Sequence, residues 1–267
     1  MTKARPDFKR MLLKLPHSRQ DYAAVTLIAE LAELFGVDLV GTYVDDVSPH
    51  GLAELPNARE FRGGTWRPLS PDQLVQDVAI AAREAERLFL ENAGRGRSRL
   101  FFSSSAGAAS REAGIEDIIA VIEPMSAIER ATHQFAESLQ AAFRSTSSVL
   151  LVPGHAKPRS GPIIAITSGP DDPGLAAALT LASSSRERLI LIRAQPTQSL
   201  SAVLERAKLA GVTTSVAEAV FDGGNILLPA FAKGRLLIMT RELVGQRPAS
   251  QTPILFVSSA LSSRVDG

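Results

Sequence analysis

Apolar residues along the chain fall into short dense runs separated by longer amphipathic stretches. The clearest pair is Val-Leu-Leu-Val at 149–152 and Ile-Ile-Ala-Ile at 163–166. Each run is too short for a helix, carries β-branched residues and is bounded by turn formers, which predicts two buried strands. The ten residues between them hold three prolines and two glycines, with no alternating pattern around a tight turn. Such a link is not a hairpin; it predicts a seam where one α/β unit ends and another begins.

Before the seam, Met11, Leu12, Leu13 and Leu15 predict a first strand over 10–16, stopped by Pro16. Val25, Ile28, Leu31, Ala32 and Phe35 recur at helical spacing and Gly36 supplies the stop. A nearly continuous apolar run at 38–46 predicts a second strand and completes one βαβ unit. Residues 47–69, rich in proline and glycine, are expected to form a long loop. Its tryptophan, Trp66, either pins that loop to the body or stacks on a ligand. Ser70-Pro71-Asp72-Gln73 predicts a helix start. That helix runs to about residue 92 and buries Leu74, Val75, Val78, Ala82, Ala85, Leu88 and Phe89. A third strand is expected at 100–105. Segment 114–123 fits a helix through Ile115, Ile118, Ile119 and Ile122, but the repeat described next needs a strand there. One helix is expected over 127–144.

After the seam the pattern restarts. Asp172-Pro173-Gly174 opens a helix, 189–192 is a strand, 199–210 a helix and 212–220 a strand. A short helix at 225–233 precedes strands at 235–239 and 254–257, with little room for a crossover helix over 241–252. The halves superimpose in sequence: Leu13 to Leu39 is 26 positions, and so is Ile164 to Ile190. The expectation is two open, mostly parallel α/β sheets with right-handed crossovers.

Bulk chemistry narrows the function classes. The 267 residues are 45% apolar and 21% charged, and 29 basic against 28 acidic side chains leave a net charge of +1. This balance gives no electrostatic reason to expect nucleic acid or an anionic membrane as partner. Cysteine is absent, which excludes disulfides, thiolate zinc sites and cysteine nucleophiles. The amino terminus lacks the apolar core of a signal peptide, and no run approaches the roughly 20 residues of a membrane helix. A cytoplasmic protein is expected.

The closing strands, Val149-Leu150-Leu151-Val152-Pro153 and Pro253-Ile254-Leu255-Phe256-Val257, resemble the carboxy-terminal strand of the universal stress protein family. Ala32-Glu33-Leu34-Phe35-Gly36-Val37-Asp38-Leu39-Val40 is similar to its first helix turning into its second strand. The resemblance is to the tandem form, with the adenine nucleotide alpha hydrolase-like fold. It implies one domain at 1–156 and a second, abbreviated one at 157–267. The two sheets are then expected to pack on each other as two single-domain copies do, with a homodimer also open. ATP-binding members carry an aspartate after the first strand; here that place holds Pro16 or His17, and Thr167 or Ser168. They also carry Gly-x-x-Gly, nine residues, then Gly-Ser or Gly-Thr after the fourth strand. Neither Glu123-Pro124-Met125-Ser126 nor the segment from Thr240 to Gly245 supplies it. The resemblance therefore implies a non-catalytic, stress-related protein for interaction or small-ligand sensing, with no cofactor. The alternative is ATP, AMP or another adenine nucleotide in a degenerate pocket of the second half.

Ligands of open α/β sheets bind at the carboxyl ends of the strands. In the second half these ends carry Thr167, Ser168, Gly169 and Asp171, then Arg193, then Thr240 and Arg241, whose hydroxyls and cations suit a small polar or anionic ligand. Asp171 and Asp172 also read as a helix cap and its neighbour. First-half equivalents are His17-Ser18, Val44-Asp45-Asp46 and Ser103-Ser104-Ser105. Arg95, Arg97 and Arg99 suit a phosphate or, more commonly, a solvated loop. No Gly-x-Ser-x-Gly elbow occurs. The four histidines, His17, His50, His133 and His155, lack metal-ligand spacing. His133 with Glu129 and Glu137 has the spacing of a helix face, and a solvated face is the commoner reading.

Overall fold

The computed structural model describes residues 8–15, 22–43, 57–93, 100–103, 113–156, 160–195, 197–222, 225–227, 234–246 and 251–260. The first half runs β1 (Arg10–Lys14), α1 (Tyr22–Phe35), β2 (Asp38–Thr42), β3 (Arg59–Arg62), β4 (Thr65–Pro68), α2 (Pro71–Ala93), β5 (Leu100–Ser103), β6 (Asp117–Glu123), α3 (Ala127–Arg130), α4 (His133–Arg144) and β7 (Ser148–Pro153). The second runs β8 (Ile163–Thr167), α5 (Pro173–Ser185), β9 (Leu189–Arg193), α6 (Ser201–Leu209), β10 (Thr214–Ala217), β11 (Val220–Asp222), β12 (Asn225–Leu227), β13 (Leu236–Thr240), a 3-10 turn (Arg241–Gln246) and β14 (Ile254–Val257).

Ten strands form one sheet in the order β10-β9-β8-β13-β14-β7-β6-β1-β2-β5. Within each half every pairing is parallel, and the order from the inner edge is fifth, fourth, first, second, third. The halves meet through β7 and β14, which pair antiparallel with Leu150 opposite Leu255. The expectation that two sheets pack on each other is therefore corrected. They are fused edge to edge, because each closing strand would otherwise leave a row of unpaired backbone groups. The halves also repeat in detail. Ser147 Oγ donates to the Gly114 carbonyl at 2.7 Å, and Thr252 Oγ1 donates to the Gly234 carbonyl at 3.4 Å. Each peg ties the segment entering a closing strand to a glycine in the segment entering its parallel neighbour.

Strict alternation along the buried strands divides the core in two. Leu150, Ile163, Ala165, Leu191, Ile238 and Leu255 point to one face, beneath α1, α2, α5 and α6. Leu151, Ile164, Ile166, Ile192, Met239 and Phe256 point to the other, where Leu139 and Phe143 of α4 and Leu243 of the 3-10 turn pack against them. On the first face α2 reaches the sheet through Phe89. A Cβ on Gly41 of β2 would lie 2.9 Å from that ring, so glycine is what permits the approach.

The strand expected at 114–123 is β6, and its partners are β1 and β7. Four expectations are corrected. The helix over 127–144 is two helices, because Thr132 caps the second by accepting from Phe135 N–H at 3.3 Å. The segment predicted as a loop holds the β3–β4 hairpin, turned by Gly63 and Gly64 at φ 59° and 82°, the backbone that a two-residue hairpin demands. Asn225–Leu227 is a strand rather than helix; it pairs antiparallel with Val220–Asp222. Finally, α2 buries Ala85, Phe89 and Ala93, while Val75 is 58% exposed. The helix leans along α1 and only its carboxyl half reaches the core. Residues 44–46, 95–99 and 104–105 lie outside the described set, as do His17, Ser18 and His50.

Candidate functional site

The carboxyl ends of β9, β8 and β13 lie side by side, so the fold brings Arg193, Thr167 and Thr240 onto neighbouring strand ends. Thr167 is fully buried; its hydroxyl donates to the Gly169 carbonyl at 2.9 Å and accepts from the Gly169 N–H at 3.2 Å. The chain thus turns sharply as it leaves the strand. Ser168 follows, and both its N–H (2.7 Å) and its hydroxyl (2.9 Å) donate to Asp172 Oδ2. The other oxygen, Oδ1, accepts from Gly174 N–H at 2.7 Å and Leu175 N–H at 3.2 Å. Asp172 is therefore the cap of α5 and the hub of the loop, only 4% exposed and satisfied on both oxygens.

The sequence expectation of a cap among Asp171 and Asp172 resolves in favour of Asp172. Asp171 points into solvent, 3.9 Å from the Arg206 guanidinium. Arg206 also donates to the Pro170 carbonyl, so α6 holds the far side of the same loop. Ala194 N–H donates to Thr167 O at 3.0 Å and ties the exit of β9 to that of β8. Helix α5 also closes the space towards β13. A Cβ on Gly174 would lie 3.1 Å from the Met239 carbonyl carbon and 3.2 Å from the Thr240 nitrogen. The first turn of this helix therefore packs directly against the carboxyl end of β13, beside the point where strand order reverses.

Arg241 departs furthest from the sequence reading. It follows Thr240, which is 4% exposed, but its guanidinium turns towards the seam. Nη1 donates to the Ser145 carbonyl at 2.6 Å and the Ser147 carbonyl at 3.0 Å, and the group sits 5.8 Å over the Phe143 ring. There it neutralises the carboxyl end of α4, where helix carbonyls lack partners. Burial pushes its pKa down, and the neighbouring Glu242 opposes that shift. These acceptors are backbone atoms more than ninety positions earlier, so no residue pattern announces them.

Two open grooves lie elsewhere. One of about 840 Å³ runs along the amino ends of β1, β2 and β6. Two ion pairs line it: Arg10 holds Asp117 through two bonds of 3.0 and 2.7 Å, and Lys9 meets Glu116 at 2.5 Å. The other, about 550 Å³, lies between α4 and the 3-10 turn beside Phe143 and Val244. His133 pairs with Glu137 at 3.3 Å on the exposed face of α4. Glu129 sits on α3, across the break at Thr132, so the sequence-based trio does not share one helix. Among the described residues no cluster of three or more histidines and carboxylates could hold a metal. No described helix is long and apolar enough to cross a membrane.

Comparison with solved structures places this architecture. A universal stress protein from Archaeoglobus fulgidus DSM 4304 superimposes with a TM-score of 0.61 at 13% identity, covering 96% of this chain and 98% of that one. The fold is that of the universal stress proteins. The match extends over both halves of the sheet. A functionally unknown protein from Pseudomonas aeruginosa PAO1 matches at TM-score 0.51 and 14% identity, over 98% of this chain and 97% of that one. No family model matches the sequence, and no curated protein does.

Proposed function

We propose that this chain is a non-catalytic, cytoplasmic protein of the universal-stress type, with tandem domains at 1–156 and 157–267, acting through interaction or small-ligand sensing rather than through ATP. The observation that carries this reading is the self-capping of α5. A phosphate at the switch point would need the free N–H groups of a helix start. Here Pro173 has none, and Gly174 and Leu175 donate to Asp172. The buried carboxylate would also face the phosphate with like charge. After β13 the chain enters a 3-10 turn directly, with no pair of glycines to cradle a second phosphate. These features argue against a triphosphate at this loop. What is left at the strand ends is small and polar: Ser168 at the mouth, the exposed Asp171, and Arg193.

Thermal melting with ATP, ADP and AMP plus magnesium tests this reading. A ligand at 100 times its dissociation constant would add about 2.7 kcal/mol. The expected result is no shift with any of the three at millimolar concentration. A dose-dependent rise with one of them would replace this reading by a nucleotide-binding pocket in the second half.

A further inference from the structure

The two halves provide an internal control on which parts the fold requires. In the second half the chain passes from its second strand, β9, to the next helix, α6, through residues 194–200 alone. In the first half the same passage, from β2 to α2, spans residues 43–70 and contains the β3–β4 hairpin. The hairpin is a separate two-stranded sheet. Its Phe61 and Trp66 face each other across the strands with ring centroids 5.3 Å apart, and are 62% and 65% exposed. The glycine turn and the cross-strand ring pair hold these side chains in place before any partner arrives, which lowers the ordering cost of binding. Paired Trp and Phe beside Arg are the residue types that dominate protein interfaces.

Charge identifies the occupant. Residues 57–70 hold three arginines against one glutamate. The following helix, α2, holds five carboxylates against two arginines, and its face opposite the buried Ala85 and Phe89 carries Ile80, which is 63% exposed. Both surfaces are thus apolar and of opposite sign, and they lie next to each other in the chain. Only Leu69 and Ser70 separate hairpin from helix, and within the protomer the rings remain exposed. A second copy offers both complements at once, hairpin to helix and helix to hairpin, as a two-fold interface requires. We propose that the β3–β4 hairpin is a dimerisation arm, which docks Phe61 and Trp66 onto the outer face of α2 of a second copy of this chain.

Trp66 is the only tryptophan, so tryptophan emission reports on the surroundings of the hairpin. Sedimentation velocity and emission are measured on the full chain across a concentration series at low and high salt. The expected result is a rise to twice the mass, accompanied by emission at shorter wavelength and weakened by salt. Phe61→Ser on the arm and Ile80→Asp on the helix should each weaken association on the order of tenfold or more. Charge reversal gives the sharper test. Arg59→Glu with Arg67→Glu makes the arm acidic, and Glu84→Lys with Glu91→Lys, one and three turns along the helix from Ile80, makes its outer face basic. Each double variant alone should stay monomeric, and an equimolar mixture should dimerise. A protein that stays monomeric with unchanged emission at every concentration overturns the proposal. So does a dimer that survives Phe61→Ser and Ile80→Asp, and so does a mixture that fails to associate.

Discussion

The two halves share a strand order and a first crossover helix of nearly equal length, and differ in the connections that follow. Both place five parallel strands in the same sequence of neighbours, and both peg the closing strand with a hydroxyl to a glycine carbonyl. The first half then spends a hairpin, the 23-residue α2 and the 12-residue α4 on its connections. The second uses the 9-residue α6 and a single 3-10 turn for the corresponding passages. Buried strands are constrained on both faces, so their apolar runs leave little room to change. Connections run over the surface and are free to carry whatever the protein uses. In this molecule the candidate features, the Asp172 loop and the aromatic hairpin, both lie in connections.

The largest losses are expected at the buried strands. Phe256→Ala removes a fully buried ring that packs edge-on against Phe143 at 5.1 Å, and should cost about 3–5 kcal/mol. Its first-half counterpart on the same face, Leu151→Ala, should cost about 2–5 kcal/mol. Urea unfolding followed by circular dichroism should show one transition in both variants. Two separated transitions would mean that the antiparallel join does not couple the halves.

Effects should be smaller where the halves touch through single side chains. Arg241→Met removes two bonds to carbonyls at the end of α4 and leaves those acceptors half-buried, for about 1–3 kcal/mol in the same assay. Asp172→Ala should cost about 1–2 kcal/mol as a lost cap. It also frees the Gly174 and Leu175 N–H groups and removes the opposing charge. Inorganic phosphate should then raise the melting temperature of the variant and leave the parent unmoved; equal responses would show that self-capping does not exclude anions. The two pegs should behave as a matched pair. Ser147→Ala and Thr252→Val should each cost about 1 kcal/mol and add in the double variant, since β7 and β14 run antiparallel and the pegs lie at opposite ends of the seam. The smallest effect is expected at the hairpin: Phe61→Ser should change unfolding free energy by no more than about 0.5 kcal/mol, because that ring is outside the core.

Much of this was legible residue by residue. Ile163–Thr167 and Leu189–Arg193 announce themselves as unbroken β-branched and leucine runs, and they are buried on both faces. Asp172-Pro173-Gly174 signals the start of α5 through cap and first-turn preferences alone. Thr132 hid inside an apolar periodicity that continues across it, so the break between α3 and α4 went unread. The β3–β4 hairpin lies in a stretch whose Gly63-Gly64 reads as loop composition, although two glycines between short alternating runs specify a tight turn.

The sequence by itself determined the alternation of strands and helices, their repetition in two halves, and the cap that closes the second switch point. These depend on side-chain burial and local hydrogen bonding, which residue type controls. Only the tertiary structure decided that β7 and β14 join antiparallel into a ten-stranded sheet, and that Arg241 serves the seam instead of the strand-end site. Both outcomes rest on backbone groups as partners. Every residue carries those groups, so the sequence holds no mark of which ones will meet.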